Sequence, residues 1–135
     1  MDKPELSQKS KYFLPRHRYY ELKHFCLQYP GWKHHLQILS DWPHHVASQG
    51  RDDTNRERRP TEQIIMKRMF LTERIELIEK IANATDPVIG NYILKGVTEG
   101  RSYEQLNAVN RIPCCKNTYY DLYHKFFYLL SEARQ

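Results

Sequence analysis

The sequence predicts an all-α protein. Apolar residues recur at helical spacing through most of its 135 residues, glycine and proline fall at a few punctuating positions, and no stretch alternates convincingly as a half-buried strand would. The expected order is an N-terminal helical hairpin in residues 1–45, a charged linker in 46–60, and a long helix followed by a compact three-helix unit in 61–135. Residues 1–12 are polar, contain Pro4 and are expected to fray.

The first helix is expected over Pro15 to Gln28, where Tyr19, Leu22, Phe25, Cys26 and Tyr29 share a face. Pro15 suits a first turn, and Pro30-Gly31 should stop the helix. A short second helix follows from about Trp32 to Ser40, with Trp32, Leu36 and Leu39 on one side. From Asp41 to Pro60 the periodicity vanishes. Gln49 to Pro60 carries four arginines among three acids, so it reads as solvated linker, with phosphate contact as the alternative. Thr61 to Ala84 is the strongest helix: Thr61 can cap it, Glu62 favours its first turn, and neither glycine nor proline interrupts it. Leu71, Ile75, Ile78 and Ala82 form one stripe, and Met66, Phe70, Leu77 and Ile81 a second. So wide a face suits packing on both sides, with a dimer interface as the sharper alternative.

The C-terminal unit starts near Asp86, with a first helix over Val88 to Val97. Glu99-Gly100 breaks it, Gly100 being free to turn left-handed. Ser102 should cap a short helix that turns Tyr103 and Leu106 inward. Arg111-Ile112-Pro113 then breaks the chain before a long aromatic helix, Lys116 to Ala133. There Tyr119, Leu122, Phe126, Leu129 and Leu130 make the inner face, while Lys116, Asn117, Tyr120, Asp121 and His124 lie opposite. A three-helix unit of this order can set the first turn of its last helix in the major groove of DNA. Lys116 can then meet phosphate or guanine, Asn117 an adenine edge, and Tyr120 a phosphate or thymine methyl. The bland alternative is a solvated helix face.

Charge fits an acidic partner without demanding one. The net charge is +5 and the pI about 9.1. Residues 1–40 carry seven basic and three acidic side chains against six and five in 86–135. Part of the set Arg16, Arg18, Lys23 and Lys33, with Arg56, Arg58 and Arg59 of the linker as candidate members, is therefore expected to contact phosphate. No apolar run approaches the roughly 18 residues of a membrane span, and Met1 to Glu5 lacks a signal-peptide core. Three cysteines do not make a disulfide framework, which suits a reducing cytoplasm. The pairs His34-His35 and His44-His45 lack zinc-ligand spacing, so neither metal nor cofactor is expected. Cys114-Cys115 reads as buried or capping before reactive. No phosphate loop, nucleophile elbow or carboxylate pair suggests an enzyme.

The run Gly100-Arg101-Ser102-Tyr103-Glu104-Gln105-Leu106, then Ile112-Pro113, Thr118-Tyr119-Tyr120 and Phe126-Phe127-Tyr128-Leu129-Leu130, resembles the C-terminal helix-turn-helix of phage transcriptional regulators of the ArpU/RinA type. The resemblance spans about Pro60 to Ala133. It implies a sigma-factor-region-four-like, sequence-specific DNA-binding regulator of late or packaging genes, acting in the cytoplasm of a bacterial host. Lys116, Asn117, Tyr120, His124, Arg101 and Arg111 would contact double-stranded DNA, with RNA polymerase and a second copy of the chain as further candidate partners. The alternative is a helical adaptor or inhibitor without DNA binding, anchored by Tyr19, Tyr20, Tyr29 and Trp32.

Overall fold

A computed structural model describes residues 10–48 and 61–135, and these are helical, with no strand among them. The helices are α1 (Arg16–Leu27), α2 (Tyr29–Ser48), α3 (Thr61–Thr85), α4 (Gly90–Glu99), α5 (Tyr103–Asn110) and α6 (Lys116–Ala133). Among the described residues no helix is long and apolar enough to cross a membrane. The contacts divide into two compact units: one holds α1, Leu77 onward in α3, and α4 to α6, and the other runs from Tyr29 to Glu76.

Local chemistry explains most helix bounds. Pro15 stands just outside α1 as its N-cap, and its carbonyl accepts the Tyr19 N–H at 2.9 Å. Pro30 and Gly31 were expected to end a helix, yet they lie in the first turn of α2. A proline there loses no hydrogen bond, because the first N–H groups of a helix have no internal partner. The helix also runs on to Ser48, past the expected end at Ser40. The remainder of the expected linker, with Arg56, Arg58 and Arg59, lies outside the described residues.

The helix α3 matches its expected range to within a residue. Leu71, Ile75, Ile78 and Ala82 are all buried, as that stripe requires. The second stripe divides: Ile81 is buried, but Met66 and Phe70 are 65% and 46% exposed. Among the described residues of the unit from Tyr29 to Glu76, α2 lies on the other side of the helix from these two side chains. Arg68 marks the facing side, its guanidinium donating to the Leu39 carbonyl at 2.7 Å.

In the larger unit α1 packs against α4 and α6, so it belongs with the C-terminal helices and not in a hairpin unit of its own. Leu22, Phe25 and Cys26 of α1 are buried together with Ile89, Ile93 and Val97, Leu106, and Tyr119, Phe126, Phe127 and Leu130. Much of this core is aromatic. The rings of Tyr19 and Phe127, Tyr123 and Phe127, and Phe126 and Phe127 meet edge to face with centroids 5.2, 5.0 and 5.1 Å apart. That geometry sets the electropositive edge of one ring on the electron-rich face of another. Burial raises the Tyr19 phenol to about 12, and it holds Tyr123 up as well; their hydroxyls share a 2.8 Å hydrogen bond.

Candidate nucleic-acid interface

The first turn of α6 is positioned from two helices. Asp86 begins the arrangement, its carboxylate accepting the backbone N–H groups of Ile89 and Val88 at 2.8 and 2.9 Å, which holds its pKa below the usual value. Gly90 then lets α4 lie against the end of α3, where a Cβ would run into the Ala82 carbonyl. Gly96 does the same one helix on, since a Cβ there would overlap the Tyr119 hydroxyl of α6. Gly100 ends α4 at φ +70°, the left-handed cap expected of it.

Ser102 closes a capping box at the start of α5. Its hydroxyl accepts the Gln105 N–H at 3.2 Å, and the Gln105 side chain accepts the Ser102 N–H at 3.0 Å. Tyr103 ties α5 to α6 through its N–H, which donates to the Tyr120 hydroxyl at 3.1 Å, and to the turn before α6 through its own hydroxyl, which donates to the Cys114 carbonyl at 2.7 Å. Between the helices Arg111 takes φ 55°, and the Asn107 side chain accepts the Ile112 N–H at 2.8 Å, with Ile112 buried. Cys115 is the N-cap of α6. Its sulfur lies 3.3 Å from the Thr118 hydroxyl, a hydrogen bond that lowers the thiol pKa. Cys114 is part-buried and shifted upward by that burial. Cys115 holds the N-cap position without a side-chain cap hydrogen bond, and its thiol is exposed.

The expected contact residues separate into distinct roles. Lys116, Asn117 and Thr118 are exposed on the first turn of α6, with the acid Asp121 a turn later. Lys116 is ion-paired to Glu104 at 2.6 Å, which raises the lysine pKa and lowers that of the carboxylate. Tyr120 was expected on the outer face but is 5% exposed, its hydroxyl spent on Tyr103. The inner face of α6 is wider than the sequence suggested, adding Tyr120, Tyr123 and Phe127. His124 is half-buried, its ring edge-on to Tyr123. Arg101 pairs with Glu99 at 3.1 Å, and Arg111 is exposed without an ion pair among the described residues.

Of the expected phosphate contacts, Arg18 is committed inside the fold. It donates to the Ser131 hydroxyl at 2.9 Å and to the Ser131 and Arg134 carbonyls at 3.0 and 3.3 Å, fastening α1 to the end of α6. Arg16 and Lys23 instead flank the exposed Tyr20 ring, 6.0 and 5.7 Å from its centroid. Lys33 lies over Tyr29 in the other unit. The sequence reading missed Glu104 as the partner of Lys116; an acid in the second turn-forming helix carries no mark of which cation it will meet. Among the described residues no three histidine, cysteine or acidic side chains converge to hold a metal.

No protein-family model matches the chain, and neither a curated protein nor a solved structure matches it.

Proposed function

We propose that α4, α5 and α6 act as a helix-turn-helix that binds double-stranded DNA in a sequence-specific way, and that the protein is a transcriptional regulator. The observation carrying this reading is the first turn of α6. It is braced by Tyr103 of α5 and by the close α4 crossing at Gly96, yet it leaves Lys116, Asn117 and Thr118 exposed. A rigid mount with polar, exposed side chains is what base-edge readout needs, because a misplaced amide cannot make two hydrogen bonds at once. The resemblance to ArpU/RinA-type phage regulators makes late or packaging genes the expected targets and RNA polymerase a further candidate partner.

Electrostatic attraction has to come from around this turn more than from within it. Glu104 and Asp121 offset Lys116, so phosphate would draw on other cations of the same unit, among them Arg111 and, on α1, Arg16 and Lys23. Two variants test the reading with labelled duplex fragments. Asn117→Ala should keep the fold and lose about 1–3 kcal/mol of discrimination at one base pair. Arg111→Gly suits the left-handed turn while deleting one cation, so binding should weaken on all sequences and the salt slope should fall by about one. Wild-type affinity and specificity in both variants would remove this surface from recognition.

A further inference from the structure

We propose that the first half of α3 pairs two copies of this chain through Ile65, Met66, Met69 and Phe70. These side chains are 46%, 65%, 57% and 46% exposed. Their spacing places them on one helical stripe. The buried Leu71 and Ile75, with Arg68 bonded to Leu39, lie on the other side. The helix therefore carries two apolar faces in this unit, and the one beside Arg68 is turned toward α2.

A second copy fits this face better than the chain's own Gln49–Pro60 segment, which contains no aliphatic or aromatic side chain to lay on it. Area points the same way. Four such side chains offer about 450 Å² per copy, within the range of the largest apolar patch on a typical monomer, which is often functional. Two copies bury about 900 Å² before any rim is added, close to the ~1,000 Å² that separates a specific interface from an incidental one. Methionine and phenylalanine are also residue types enriched at such contacts.

The pattern is self-complementary. Reversing the helix exchanges Ile65 with Phe70 and Met66 with Met69, so a two-fold axis between Lys67 and Arg68 sets apolar against apolar throughout. The same axis brings Glu62 of one copy toward Glu73 of the other, twice. Those like charges weaken the pair and give it a handle.

Sedimentation velocity on the full chain across a concentration series tests the proposal. The wild type should pass from monomer to dimer. Met66→Glu and Met69→Lys, both at exposed positions, should raise the dissociation constant about tenfold or more with unchanged far-UV circular dichroism. Glu73→Lys should tighten the dimer, because two repulsions become two attractions. A wild type that stays monomeric, a dimer indifferent to both methionine variants, or a Glu73→Lys dimer no tighter than wild type would each overturn it. None of these readouts uses DNA, so the proposal stands or falls apart from the DNA reading.

Discussion

Gly96 offers a quantitative check on how α6 is mounted. A glycine inside a helix normally costs about 1 kcal/mol relative to alanine, so Gly96→Ala on an open surface would stabilise the protein by that amount. Here the new methyl group would overlap the Tyr119 hydroxyl, and it would lie 3.1 Å from Leu106 Cδ1 and 3.4 Å from the Arg101 carbonyl. Tyr119 is fully buried and has no room to retreat. Overpacking of this kind costs about 1–3 kcal/mol, so the net effect is a loss of about 1 kcal/mol. The Tyr119 hydroxyl is itself buried without a hydrogen-bond partner among the described residues. Tyr119→Phe should therefore raise stability by about 1 kcal/mol. In the double variant the clash is gone and the helix gain returns, giving a coupling of about 1–2 kcal/mol between the sites. Urea denaturation followed by circular dichroism measures all four corners of the cycle. A stabilising Gly96→Ala with no coupling to position 119 would refute the close α4–α6 crossing and, with it, the rigid mount of Asn117.

Three further outcomes follow from the same geometry. Glu104→Gln should release Lys116 from its ion pair and tighten binding to all DNA sequences, which a low-salt titration would reveal; unchanged affinity would mean that the lysine does not meet phosphate. The raised Tyr19 phenol stabilises the fold fully below the ordinary tyrosine value of 10.0, and that share is lost as pH rises through about 12, with Tyr123 shifted in the same direction by its burial. Helix loss and phenolate absorbance should therefore rise together in that window, and full tyrosine ionisation near pH 10 with helices intact would contradict the buried pair. Ile78→Asp places an unpaired carboxylate at a fully buried position and should cost about 3–5 kcal/mol; an unchanged thermal midpoint would show that this face of α3 is not core.

What could be read from the chain was local. The cap at Ser102, the left-handed Gly100, and the spans of α3 and α6 follow from residue preferences acting within a few positions. Placement among helices was harder. Periodicity says that Met66 and Phe70 share a face, but which of two apolar faces finds a neighbour depends on the partner helix. Tyr120 illustrates the same limit: its hydroxyl suits an outer surface until the backbone N–H of Tyr103, 17 residues away, donates to it. Arg18 reads as an ordinary surface cation until three acceptors at the end of α6 surround it. Arg111 gave no warning of its positive φ, since glycine or asparagine is the usual signal for that conformation.

The central claim is tested most directly by fluorescence anisotropy of the full chain on duplex DNA fragments at two salt concentrations, with random duplex as competitor. The account predicts one fragment bound at least about 10³-fold more tightly than random sequence, with affinity falling as salt rises. Absence of binding at the lower salt, or equal binding to every fragment, would contradict a sequence-reading role for the first turn of α6.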